Sequence, residues 1–283
     1  MSTHLVVVLD GVCWGMLLCL TASGMALAYH AGATLNLAHG LIYLTGAYLA
    51  AALAESWVGL AAAFSIAAFG GAAAGAALAG LLRPLNGHLQ QALATAGIAL
   101  IGGHLLTVTV GADPLSVPAP PGLDHAVDIG TQPYPAYRLA LVAVTAPLIG
   151  GLWWLLHRTR AGSLVLASAE DPVALALLGQ RPELLRTGIL AAATALAAVA
   201  GVLGGPLIGP APGVDHRIMV TSLLIAVTAA GSIARTVPVA IAVGQMQTTA
   251  LAAWPQAAPY LPYTLLAAVL LAGAVLRRTR PTR

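Results

Sequence analysis

Asn36, His39 and Tyr43 stand three and four residues apart in a stretch that is otherwise apolar, and Gly46 follows three residues later. If that stretch is helical, these positions share one face, so an amide, an imidazole and a phenol point the same way, with Ala47 and Ala50 beside them. Such side chains inside an apolar segment meet protein or water, because hydrocarbon offers them no hydrogen bond. The preceding His30-Ala31-Gly32-Ala33-Thr34 is poorly apolar and contains glycine, which predicts a break between two helices beside a cavity. Two roles stay open for the stripe: contact with a solute in a water-filled gap, or bonds to neighbouring backbone that pin the start of the helix. A histidine with no second ligand near it is not a metal site, and none is expected.

A second group of residues offers docking rather than catalysis. The segment from Arg158 to Arg186 holds seven of the 21 charged residues. Inside it, Asp171-Pro172 has the form of a helix start, with Asp as N-cap and Pro at the first helical position, and Gly179 reads as the stop. The residues between, Val173-Ala174-Leu175-Ala176-Leu177-Leu178, are apolar yet too short to cross a bilayer. They are expected to form a two-turn helix that lies on the membrane or enters a partner's groove.

Much chemistry is excluded by what the chain lacks. All 12 basic residues are Arg and none is Lys, so neither a phosphate-binding Walker A loop nor a Schiff base can form. No apolar segment carries a nucleophile with its base or a set of metal ligands, so no catalytic residue and no cofactor is expected. Cys13 and Cys19, six residues apart, fall on different faces of one helix and indicate neither a disulfide framework nor a metal centre. The net charge of +3 is spread among loops and reports topology, not nucleic-acid binding.

The elements that must position these residues belong to a membrane. Only 7% of the 283 residues are charged, against roughly 25% in a soluble domain, while 59% are hydrophobic and the mean hydropathy is +0.89. An all-α, polytopic transmembrane bundle of eight or nine spans follows. The apolar segments are 11–29, 35–54, 58–82, 89–110, 137–157, 187–209, 217–234, 237–253 and 261–276, the last three short enough to be tilted or re-entrant. Ala26-Leu27-Ala28 has the form of a signal-peptidase site, but no basic residue precedes it, so an uncleaved first span is expected.

Arginine sets the orientation. Arg83, Arg158, Arg160, Arg181, Arg186 and the basic tail put their loops in the cytoplasm. Residues 111–136, with six prolines, three Asp and no Arg, form a non-helical external loop, and the N-terminus is then also outside. Arg235 interrupts the stretch 217–253; a cytoplasmic turn there yields nine spans, the alternative being one kinked helix with Arg235 facing a wet pathway. Gly71 with Gly75, and Gly201 with Gly205, mark close helix contacts.

Thr34-Leu35-Asn36-Leu37-Ala38-His39-Gly40, continuing through Leu41-Ile42-Tyr43-Leu44-Thr45-Gly46-Ala47-Tyr48, resembles a signature of the inner-membrane permease subunits of branched-chain amino-acid ABC importers. Arg160-Ala161-Gly162, Ala169-Glu170-Asp171, Ala174, Leu178-Gly179 and Ala198-Val199-Ala200-Gly201-Val202-Leu203 are similar to a second, and Arg83-Pro84 matches as well. The blocks keep their order and span most of residues 11–235. The resemblance implies one permease domain over 1–283 in a bacterial inner membrane, paired with a second permease subunit, identical or related. A periplasmic binding protein would deliver the solute, a hydrophobic amino acid, and two separate ATPase subunits would dock on the 158–186 loop. Asn36, His39, Gly40, Tyr43 and Gly46 would belong to the translocation pathway. Glu170, Asp171, Pro172, Ala174, Leu178 and Gly179 would couple it to ATP hydrolysis.

Relatives usually carry paired glycines before, and Pro-Gly after, the run Gly231-Ser232-Ile233; here Thr228-Ala229 and Ala234-Arg235 stand there. After Gly40 comes Leu41, where relatives frequently have polar or acidic residues. Importers of urea or short amides resemble the same motifs and form the nearest alternative. An ion-coupled secondary transporter would need a buried relay, for which the only candidates are Glu55, at a span end, and a solitary His104.

Overall fold

Each of the nine apolar segments folds as a helix in the computed structural model, which describes residues 2–32, 34–85, 87–129 and 132–279. In chain order these are α1 (Ser2–Ala26, continued by a π-helical turn Leu27–Ala31), α2 (His39–Leu53), α3 (Trp57–Leu82), α4 (His88–Val110) and α5 (Ala136–Arg158). After two short helices, α6 (Arg160–Glu170) and α7 (Pro172–Leu177), come α8 (Pro182–Ile208), α9 (Val214–Thr228), α10 (Ile233–Ala253) and α11 (Leu261–Thr279). The first span with its π turn, α3, α4, α5 and α8 are each long and apolar enough to cross a membrane. The second segment is shorter than its apolar run: α2 has 15 residues, about 22 Å at the helical rise, because residues 34–38 are not helical.

Small residues decide how the helices pack, since lipid gives no hydrophobic drive between them. The central α8 is buried on most sides, through Leu190, Ala193, Ala197, Ala200 and Val202. Against it α3 buries one stripe, Ala63, Ala67, Gly71, Gly75 and Leu78, and leaves Phe69 79% exposed on the far side. An added Cβ at Gly71 would lie 2.9 Å from the Ala195 Cα, and one at Gly75 would lie 2.8 Å from the Ala191 Cα, so only glycine permits this approach. On another side of α8, Gly201 meets the backbone of Tyr43 and Ala47 of α2. The other pillar, α1, runs antiparallel to α10, with Gly15 facing Ala240 and Ile241 and Gly11 facing Gly244.

The turn expected at Arg235 falls at residues 229–232, between α9 and α10, and Arg235 is exposed in the first turn of α10. Two left-handed residues build it, Ala230 (φ 47°) and Gly231 (φ 74°), and Gly231 sits beneath the His30 ring. One kinked helix across 217–253 is therefore not formed.

Within the loop 111–136 a hairpin pairs β1 (Ala126–Ile129) with β2 (Gln132–Pro135), Val127 opposite Tyr134. Leu115 N–H donates to the Pro210 carbonyl at 3.0 Å, tying this loop to the α8–α9 connection. Arg138, just after the hairpin, pairs with Asp10 of α1. The α6 helix lies at the opposite end of α1, where Ser168 borders the same cavity as Ala31 and Gly32.

Candidate translocation and coupling sites

The unwound segment between α1 and α2, with His39 at its end, is held by hydrogen bonds to three helices, and a fourth joins through Thr21. Asn36 does not join the helix; its Oδ1 accepts from Ala38 N–H at 3.0 Å and so shapes the turn before His39. The His39 Nε2 lies 2.9 Å from the Thr21 carbonyl of α1, and because a carbonyl only accepts, Nε2 carries the proton. Ser222 of α9 donates to Thr21 Oγ1 at 3.0 Å, which extends the link to a third helix. Thr34 Oγ1 accepts from Arg186 Nε and Nη2 at 3.2 and 3.0 Å, and the same Nη2 donates to Gln91 Oε1 at 3.0 Å. Thr95 of α4 accepts from Leu37 N–H at 3.0 Å.

The polar stripe turns inward. Asn36, His39 and Tyr43 are fully buried within this one chain. Gly40 abuts the Asp215 carbonyl and Met219 of α9, and Gly46 abuts Ala198 of α8, so both glycines serve close helix contact. The structure thus gathers the five residues into one packed seam among α1, α2, α8 and α9. Asn36 Nδ2, His39 Nδ1 and Tyr43 Oη are left buried without partners.

Open space lies one helix face away. A cavity of about 240 Å³ between α2, α4 and α9 is lined by Leu37, Leu41, Leu100 and Met219 together with Asp215 and His216. A neighbouring one of about 280 Å³ shares Asp215 and His216 and adds His104. The Asp215 carboxylate is 7% exposed and lies 3.0 Å from His216 Nδ1. His104, solitary in the sequence, therefore borders the same space as an acid and a second histidine. Sequence reading missed this group because it began the seventh span at 217; the run Gly209-Pro210-Ala211-Pro212-Gly213, a sharp break just before Asp215, was the available signal. Leu41 is one wall of the first cavity.

The helix foreseen at 172–178 forms as its caps dictate. Asp171 Oδ1 accepts from Val173 and Ala174 N–H, each at 2.9 Å, Pro172 occupies the first position, and Gly179 (φ 78°) ends it. Leu175 anchors it at 4% exposure, whereas Val173, Leu177 and Leu178 are 68%, 85% and 77% exposed and Ala174 faces solvent beside them. Glu170 closes α6, a helix the sequence reading left as loop; its signal was Thr159, whose side chain accepts from Gly162 N–H at 3.1 Å as an N-cap. Held by the single anchor Leu175, the short helix thus presents a bare apolar face.

No curated protein and no solved structure matches the chain. A family model described as the permease component of the branched-chain amino acid transport system matches residues 7–274. A match over nearly the whole length, on a helical bundle with several membrane-crossing helices, means that the chain belongs to this family of ABC-transporter permease components.

Proposed function

We propose that the chain is one permease subunit of an ABC importer, carrying a hydrophobic amino acid into a bacterial cytoplasm across the inner membrane. The observation that carries this reading is α7, a capped helix whose exposed apolar face, Val173, Leu177 and Leu178, stands outside the bundle in a chain with no Lys for an ATP-binding loop. ATP hydrolysis then belongs to two separate subunits that grip α7, with Glu170, Asp171, Pro172, Ala174, Leu178 and Gly179 forming or shaping the grip. A second permease subunit covers the apolar faces that the bundle leaves bare, Ile101 of α4 at 73% exposure among them, and a periplasmic binding protein delivers the solute.

In this reading the seam of Asn36, His39, Gly40, Tyr43 and Gly46 frames the pathway, holding the broken start of α2 so that the adjoining cavity keeps its shape. Leu37, Leu41 and Met219 face the solute. Closure of the ATPases moves α7 and turns the cavity from outward-open to inward-open. ATP-dependent uptake of labelled leucine into vesicles containing the assembled complex tests this. Uptake that needs the ATPases and is lost in Ala174→Asp supports it; uptake of urea but not leucine, or uptake without ATPase subunits, overturns it.

A further inference from the structure

At the hairpin end of the bundle a cavity of about 200 Å³ lies between α1, α9, α10 and the α10–α11 connection. Its apolar walls include Trp14, Leu251, Pro259 and Pro262, and its polar groups include Arg217 and Gln247. The Trp14 Nε1–H donates to Gln247 Oε1 at 2.7 Å. An indole nitrogen only donates, so this bond fixes the amide with its oxygen toward Trp14 and its NH2 turned away. That NH2 is buried without a partner, and so is Arg217 Nε.

Arg217 is unlike the other cations at this end. Arg138 has Asp10, but among the described residues no carboxylate forms an ion pair with Arg217. Asp215, two residues earlier, bonds to His216 and lines the separate space between α2, α4 and α9. Arg217 also breaks the arginine asymmetry of the chain, since the start of α9 is expected on the external side. The cavity therefore presents a guanidinium and an amide NH2, both donors, with the nearest amide oxygen already in use. A donor set of this kind, walled by apolar side chains, is complementary to an anion.

We propose that this cavity binds the carboxylate of a small apolar acid, in this permease the α-carboxylate of the arriving amino acid; the second half of that statement rests on the transport reading above. The planar guanidinium fork matches a carboxylate in two bonds, with the Gln247 amide as an additional donor. Apolar walls and a volume of about 200 Å³ suit a short branched alkyl group on that carboxylate. The position fits arrival from outside, because the cavity also touches Ile208, at the end of α8 that the external loop covers.

The test uses the purified permease complex in phosphatidylcholine nanodiscs, with isovalerate, leucine and isoamylamine as probes, read by equilibrium binding and by saturable shifts in melting temperature. Isovalerate and leucine should bind while isoamylamine, the same alkyl group without a carboxylate, does not. Arg217→Gln and Gln247→Glu should each weaken isovalerate binding by about tenfold or more. Gln247→Glu keeps an acceptor for Trp14 and sets an anion beside Arg217, so its melting temperature should not fall below wild type, which separates loss of binding from loss of fold. No isovalerate binding, or binding unchanged in both variants, overturns the proposal. Arg217-dependent stabilisation by phosphatidylglycerol without isovalerate binding overturns it too, naming a lipid phosphate as the occupant. Leucine uptake indifferent to Arg217 rejects the site and spares the transport reading, whereas Arg217-dependent isovalerate binding in a complex that moves no amino acid rejects the transport reading and spares the site.

Discussion

His39→Ala separates a framing role from a solute-contacting one. The imidazole is fully buried over Gly24 and spans α2 to the Thr21 carbonyl. Its removal forfeits one hydrogen bond, about 0.5–1.5 kcal/mol, and opens a hole the size of the ring. Large-to-small core truncations cost about 2–5 kcal/mol, and a ring smaller than Phe belongs near the lower end. Loss of the unpartnered Nδ1 offsets about 1 kcal/mol of this. The net is about 2–3 kcal/mol, which at roughly 2–4 °C per kcal/mol for a domain of this size lowers the melting temperature by about 4–12 °C. His39→Gln can place an amide NH2 where Nε2 was and should recover about half of the loss, whereas His39→Asn cannot reach. Melting of the detergent-solubilised complex, followed alongside uptake of several solutes, checks the whole series. The framing argument is refuted if His39→Ala melts like wild type while solute preference changes, for then the imidazole touches solute.

Three other outcomes follow from the same geometry. Gly179→Pro cannot adopt the φ of 78° and loses the bond from Gly179 N–H to the Ala176 carbonyl, and Ala174→Asp charges the exposed apolar face; both should abolish uptake and ATPase co-purification with membrane levels unchanged. Cysteines placed at Pro120 and Ser168, in a background lacking Cys13 and Cys19, should react with impermeant reagents from opposite sides, since the two loops occupy opposite ends of α1; labelling of both from the periplasm would reject the orientation. Gly75→Val would drive a branched side chain into α8 at Leu190 and Thr194, so the variant should fail to accumulate as a folded subunit; normal expression and melting would show that α3 and α8 can part without cost.

Much of the architecture was legible from residue type alone. Runs of apolar residues with arginine at alternate ends state that the solvent is a bilayer and where the chain turns, so the helix in each of the nine apolar segments was located, and the turn near Arg235 was preferred because a cation at mid-span is costly. The cap pair Asp171-Pro172 and the stop at Gly179 specify α7 locally, through bonds that reach no farther than three residues. The glycine pairs announced close contacts in the same way.

What the tertiary structure decided was the partner of each polar group. Asn36 was read as part of a helical stripe, but it lies in unwound chain whose bonds, with that of His39 at its end, go to α1, α4 and α8, to residues 18 to 152 positions distant. Arg217 and Gln247 are 30 residues apart, and His104 and Asp215 more than 100, so no local pattern joins either pair. The physical reason is that hydropathy and periodicity are set within one turn of helix, whereas hydrogen bonding and charge pairing depend on which other helix supplies the donor or acceptor. In a chain that is apolar on nearly every helical face, composition states that a segment is inside the membrane but not whether a given face meets lipid, a neighbouring helix or a cavity; only the packing of the bundle assigns that.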